Sequence, residues 1–296
     1  MNKLGYCCIN TTLRRNKIYT SRSLIRRTFD INKASELAIK NCQDLLTILK
    51  WNLKNNIYVF RISSDLFPRI TDKICGYNLN ELSTFKEIEA SLSAAGKFAY
   101  DNNMILSCHP GPYTVLGSVR EDVVQNSIKE IKFHSLIGDM LRLNAPNLQF
   151  HINFHIGNKF SFESGDRFCK NFELLPENIQ KYIIIENDDK RSCWSLLKLY
   201  ENIHKKIGVP LTFDYHHSKF SREDDITDYE EFLLSKKTWS NDVFQETHFS
   251  SSENNTPKHS DYILDEIPKW MINDDRIYIL LEAKAKELAV MKYCSC

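Results

Sequence analysis

Several short apolar runs in this chain stop on a residue able to bind a metal ion. His109 closes one run and His155 the next, and Glu186 ends the purely apolar Ile183-Ile184-Ile185. Asp214 closes another, with His217 three residues on. Glu246 and His248 share the following run, His259 lies in the loop after it, and Glu282 ends the last one. A lone carboxylate buried at the end of such a run costs several kcal/mol, and a cation beside it removes that cost. Taken singly, each of these residues has an ordinary structural explanation. Together, five of the nine histidines and four carboxylates in equivalent positions point to a metal site. Imidazole and carboxylate without thiolate suit Mn²⁺ or Zn²⁺, with Mg²⁺ also compatible. Nine candidate ligands exceed the needs of one ion, so two or three are expected. Sites of that kind activate a water and clamp the oxygens of a phosphoryl displacement. Phosphodiester hydrolysis is the natural chemistry, and aldose isomerisation in a two-metal barrel is its rival.

The elements that must position these residues alternate. Strands are expected over 4–9, 57–62, 104–108, 148–155, 182–186, 210–214, 243–248 and 276–282. Helices are expected over 32–54, 84–100, 119–143, 162–178, 193–206, 226–235, 260–271 and 284–291. Eight strand–helix units within 296 residues predict a single (β/α)8 TIM barrel in the α/β class, one domain over 1–296. Such a barrel gathers its chemistry at the carboxyl ends of the strands, where the candidate ligands fall. In Gln149-Phe150-His151-Ile152-Asn153-Phe154-His155 the even positions are apolar and would face the helices, leaving the odd ones for the barrel axis. A doubly wound open sheet is the structural alternative. No Gly-x-Gly-x-x-Gly follows a strand, so neither its usual dinucleotide site nor a nucleotide cofactor is expected. The Ser/Asn-rich stretch 250–255 reads as a barrel loop.

A hydrophobic content of 42% and a charged content of 26% describe a globular protein. No apolar run is long enough for a membrane span, and no secretory signal is visible, so an intracellular place, cytoplasmic or nuclear, is expected. Nine cysteines without a Cys-x-x-Cys pair read as reduced thiols. The net charge of +1 gives no global signal for nucleic acid. However, Arg14, Arg15, Lys17, Arg22, Arg26 and Arg27 all precede the first acidic residue, Asp30. Such a stripe can neutralise phosphates, although a short charge run is also what a solvated loop carries.

The ordered motifs resemble those of the UV damage endonuclease family over nearly the full length. Leu4-Gly5-Tyr6-Cys7-Cys8-Ile9-Asn10 is similar to the family's opening, and Arg61-Ile62-Ser63-Ser64-Asp65-Leu66-Phe67-Pro68 to its second-strand signature. His109-Pro110-Gly111-x-Tyr113, Glu186-Asn187-Asp188-Asp189, Asp214-x-x-His217, His248-x-Ser250, His259-x-Asp261-Tyr262 and Leu281-Glu282-Ala283-Lys284-x-Lys286 follow in the family's order. The resemblance implies ATP-independent incision of damaged double-stranded DNA 5′ to UV photoproducts. It also implies a divalent cluster, usually manganese, on His109, His155, Glu186, Asp214, His217, His248, His259 and Glu282. Of these, Glu186, Asp214, His217 and Glu282 are expected to act in catalysis. Tyr6, Asn10, Pro112, Tyr113 and Lys284 are expected at the DNA, with Tyr113 as a wedge in the base stack, and a monomer is expected.

This chain departs from the family pattern twice. Pro112 stands where the family has the glutamine of a Gln–Tyr probe, which keeps a wedge shape but removes the amide's hydrogen bonds. Glu246 stands where the family has a lysine that can be carboxylated, so Glu246 is expected as the metal-adjacent anion. An abasic-site endonuclease of the endonuclease IV type, a sugar isomerase or epimerase, and a DNA-binding module with a decayed site are the alternatives.

Overall fold

The computed structural model describes residues 3–295; Met1, Asn2 and Cys296, at the two ends of the expected domain, lie outside the described residues. Eight parallel strands close into one barrel in chain order. They are β1 (Lys3–Cys7), β2 (Val59–Ile62), β3 (Ile105–Cys108), β4 (Phe150–Phe154), β5 (Ile183–Glu186), β6 (Leu211–Asp214), β7 (Gln245–Phe249) and β8 (Ile277–Leu281). Closure is made where β1 pairs on one edge with β2 and on the other with β8, Gly5 lying opposite Val59 and Leu280. The expected TIM barrel is therefore the observed fold, and all eight expected strands are present.

Each strand alternates between two environments. Phe150, Ile152 and Phe154 of β4 join the large core between the sheet and the helices, as the alternation requires. Val59, Ile105, Tyr278 and Leu280 form a smaller apolar cluster with Cys7. The long helix Ile31–Lys54 starts on Asp30, whose carboxylate accepts from Lys33 N at 2.8 Å. The helices Phe85–Asp101 and Glu121–Arg142 approach very closely at Gly96, where a Cβ would lie 1.8 Å from the carbonyl oxygen of Leu141.

Three expected helices are corrected. The one over 162–178 stops at Glu173, because Pro176 cannot continue it, and resumes as the short turn Glu177–Gln180. The one over 193–206 begins at Leu196 and contains a π-turn, Tyr200–His204. The one over 260–271 shrinks to Lys269–Ile272 behind Pro268. The chain before it is an irregular loop tied by Ser260 N to Ser251 O at 2.8 Å, with the Ser251 hydroxyl accepting from Leu264 N and Asp265 N. An unexpected helix, Tyr215–Ser221, follows β6 directly. No helix among the described residues is long and apolar enough to cross a membrane.

Candidate metal centre

Glu186, the last residue of β5, is buried at the centre of the strand ends. Its Oε2 lies 3.7 Å from His109 Nε2 and 3.8 Å from His155 Nε2. Its Oε1 lies 3.0 Å from His248 Nδ1 and 3.3 Å from His217 Nδ1. Among the described residues three sets of donors stand close enough to share an ion: His109, His155 and Glu186; Glu186, His248 and Glu282; and Glu186, Asp214 and His217. Glu186 belongs to all three, which is the placement of a bridging carboxylate. Seven of the nine expected ligands are thus brought together.

Local structure explains the placement. Asp214 caps the short helix after β6, its Oδ1 accepting from His217 N at 2.8 Å, so the Asp-x-x-His spacing places both side chains on Glu186. Asn153 Nδ2 donates to Glu186 Oε2 at 2.5 Å. His109 is oriented from behind, as metal ligands usually are, its Nδ1 facing Pro110 O at 2.8 Å. His217 Nδ1 lies between Asn187 O at 2.9 Å and Glu186 Oε1 at 3.3 Å, and His155 Nδ1 is 3.3 Å from Asp188 Oδ1 without a hydrogen bond between them.

The charge balance favours a cation. Burial pushes the Glu186 carboxyl upward, but His248 and His155 outweigh it and hold the group well below the usual range. Burial disfavours the His217 cation, yet Asp214 and Glu186 raise its pKa to about 10. His248 is likewise raised despite its burial, chiefly by Glu186. Among the described residues Asp214 Oδ2 is buried with only His248 Nδ1 at 3.6 Å and His217 Nδ1 at 3.8 Å near it, too long for good hydrogen bonds, so it is an anionic oxygen that an ion can satisfy. The donor set of imidazoles and carboxylates fits divalent ions.

Four expected site residues take other places. His259 reaches the rim, Nε2 3.9 Å from Glu282 Oε2, but is in none of the three sets. Glu246 is corrected from a metal-adjacent anion to a group behind His248. Two residues earlier on β7, it lies deeper in the barrel, 2.9 Å from His248 Nε2, and accepts from the Tyr278 hydroxyl. The DNA contacts expected of Tyr6 and Asn10 are also corrected, because both side chains are 0% exposed. The Tyr6 hydroxyl donates to Asn52 at 2.7 Å and accepts from Asn10, which caps the helix Thr11–Arg14. They are packing and capping residues.

Pro112 and Tyr113 do line the mouth. Tyr113 is 87% exposed and borders a cleft of about 940 Å³ that is also lined by Arg26, Arg69, Lys73 and Arg120. Lys284 is half-exposed, 3.6 Å from Asp261. The early basic stripe is partly structural, since Arg22 pairs with Asp44 at 2.6 Å and Arg26 with Asp72 at 3.0 Å.

The sequence reading missed Arg61 as a site residue. Its guanidinium is buried inside the barrel, NH1 2.5 Å from Glu282 Oε1 and NH2 2.7 Å from His248 Nε2. The signal was a single charge in the run Tyr58-Val59-Phe60-Arg61-Ile62, in phase with the inward-facing positions.

Comparison with known proteins agrees with this geometry. The family described as UV-endonuclease UvdE matches residues 2–295. The UV DNA damage endonuclease of Clostridium perfringens is 31% identical over 98% of this chain and 69% of its own length. The UV-damage endonuclease of Schizosaccharomyces pombe is 30% identical over 99% of this chain, which spans 50% of that relative. The crystal structure of SacUVDE superimposes with a TM-score of 0.87 at 29% identity, covering 100% of this chain and 97% of the other. The 3-keto-D-glucoside 4-epimerase YcjR of E. coli, with a TM-score of 0.55 at 10% identity over 100% of each chain, shares the fold alone. With a match over almost its whole length, this chain belongs to the UV-endonuclease UvdE family.

Proposed function

We propose that this protein is a metal-dependent UV damage endonuclease, a phosphodiester hydrolase of DNA excision repair. It nicks one strand of damaged double-stranded DNA 5′ to cyclobutane pyrimidine dimers and 6-4 photoproducts, without ATP. The observation that carries the reading is Glu186, shared by three ligand sets at the mouth of a barrel of this family. Two or three divalent ions there, manganese first, would supply Lewis acidity and an activated water.

The protein's own groups do the rest. Glu186 and Asp214, both buried, and the partly buried Glu282 hold negative charge at the strand ends, and His109, His155, His217 and His248 offer nitrogens to it. The carboxylates favour protonated His217 and His248, and a bound divalent ion would take the place of those protons. Tyr113, braced by Pro112, enters the base stack, where a lesion has already lowered the cost of unstacking. His259 and Lys284 stand at the rim, toward the substrate. We place the protein as a monomer where DNA is held, in the cytoplasm or nucleus.

Supercoiled plasmids that are intact, UV-irradiated or abasic, incubated with Mn²⁺ or with chelator, test the proposal. Faster nicking of irradiated plasmid, abolished by chelator and leaving 3′ hydroxyl ends, is expected. Preference for the abasic plasmid would reassign the substrate. Equal nicking of all three would remove damage specificity, and absence of nicking with any metal would remove the activity.

A further inference from the structure

Beside Glu282 the mouth opens into a second, smaller cleft of about 370 Å³. Lys258, from the β7–β8 loop, lines it together with Lys284 and Lys286, from the segment between β8 and the helix Glu287–Cys294. Arg61 and Glu282 line it too, so it is continuous with the metal centre. The two segments are clamped together, Lys284 N donating to Ser260 O at 3.1 Å and Ala285 N to Asp261 O at 2.9 Å. The three ammonium groups are therefore carried on fixed backbone.

Lys286 has φ +56° and ψ −125°, a conformation that suits glycine and strains a lysine. Strain of that kind persists where a particular side chain is worth keeping. Among the described residues neither Lys258 nor Lys286 makes a side-chain ion pair, and the partner of Lys284, Asp261, is itself well exposed. Three cations beside a nest of metal-binding carboxylates are placed to receive an anion whose other end lies at the metals.

We propose that this cleft is a phosphate subsite in which Lys258, Lys284 and Lys286 hold a backbone phosphate of the strand being cut. It lies on the β7–β8 side of the mouth, whereas the Tyr113 cleft is built on the loops after β2 and β3, so the strand is held on both sides of the metal centre. Contacts of this kind carry no base information and fix the register of the scissile bond. The proposal rests on the endonuclease reading above.

The test is equilibrium binding of the metal-loaded protein to an undamaged duplex across a range of salt concentrations. Each lost phosphate contact lowers the magnitude of the slope of log K against log salt by about 0.9, so the triple variant K258Q/K284Q/K286Q, which releases the one phosphate the three lysines hold, is expected to fall by about 0.9. K54Q, exposed at the end of the helix Ile31–Lys54, should keep the wild-type slope. K286G is expected to lose slope as K286Q does while its Tm is unchanged or higher, because glycine accepts that backbone. An unchanged slope in the triple variant, or wild-type binding by K286G, overturns the subsite and leaves the endonuclease reading standing. A wild-type protein that does not bind duplex at all removes that reading instead. A wild-type Tm raised by inorganic phosphate beyond chloride of equal ionic strength, with no change in DNA slope in the triple variant, assigns the cleft to free phosphate and overturns the strand assignment.

Discussion

Glu246→Gln should separate metal binding from fold. His248 presents Nδ1 to Glu186 at 3.0 Å, so Nδ1 is the nitrogen available to an ion. Its other nitrogen, Nε2, is contested by Glu246 Oε1 at 2.9 Å, which accepts a proton, and by Arg61 NH2 at 2.7 Å, which can only donate one. If Glu246 prevails, Nε2 carries the hydrogen and Nδ1 is free to bind metal. If Arg61 prevails, the proton sits on Nδ1 and blocks it. Glutamine keeps the shape and an acceptor oxygen but loses the charge, which tips the contest towards Arg61. Loss of an orienting carboxylate behind a metal-bound histidine costs about 10- to 100-fold in affinity, equivalent to about 1.4 to 2.7 kcal/mol. Mn²⁺ titration by calorimetry, with circular dichroism as the control for folding, measures it. E246Q should bind more weakly at the same helical content, and Arg61→Met placed on E246Q should restore part of the loss. Wild-type affinity in a folded E246Q would refute the tautomer argument, and so would a double variant weaker than the single one.

Other consequences are open to simpler assays. Tyr113→Ala should leave Mn²⁺ affinity unchanged and lower nicking of irradiated plasmid roughly 5- to 150-fold, the range of about 1–3 kcal/mol for base–aromatic stacking; an undiminished rate would show that the exposed ring does not enter the stack. Tyr6→Phe removes a hydroxyl held between Asn52 and Asn10, so denaturant unfolding should show a loss of about 1–3 kcal/mol with normal nicking. Normal stability with lost nicking would return Tyr6 to the DNA. Glu231 is buried against Ser218, and burial raises its carboxyl from 4.5 to about 7. Between those values the fold keeps a proton that the unfolded chain has lost. Its contribution is therefore full below about 4.5 and is lost as pH rises through about 7, by about 3 kcal/mol in all. Glu231→Gln should flatten that part of the stability profile, which denaturation at a series of pH values would reveal; a variant profile parallel to wild type would contradict it.

The strand ends were legible because two periodicities met there. Apolar runs marked the strands, and the residue breaking each run fell at the one pole where a barrel gathers function. His109, His155, Glu186, Asp214, His217, His248 and Glu282 were all found on that basis and all converge. What could not be read was depth along the axis and the path of the loops. Glu246 and His248 are two residues apart on one strand and face the same way, so the sequence makes them equivalent, yet one reaches the ligand sets and the other lies behind it. Tyr6 and Asn10 matched a motif correctly, but a motif does not say whether a side chain is exposed, and both are buried. The 260–271 stretch has apolar residues at helical spacing, and Pro268 together with the hydrogen bonds of Ser251 overrides it. That loop then brings Lys258 and His259 to the mouth, a placement no local pattern encodes.

Arg61 joins these observations into one electrostatic account. Glu186, Asp214 and Glu246, all buried, and the partly buried Glu282 place four carboxylates at one barrel end, with the Arg61 guanidinium among them. Buried ions of one sign cannot accumulate without compensation. In the protein alone His217 and His248 supply it as cations, each raised by the carboxylates around it. Divalent ions would supply the same charge and displace those protons, so loading exchanges hydrogen ions for metal and strengthens as pH rises. The arginine cannot be displaced in this way, because it does not lose its proton in a protein. Its position beside Glu246 and Glu282 therefore fixes one cation on that side, whereas the charge on Glu186 and Asp214 is balanced by His217 and His248, whose protons a metal ion would displace. Asp214 Oδ2, 3.6 Å from His248 Nδ1 and 3.8 Å from His217 Nδ1, lies on that exchangeable side.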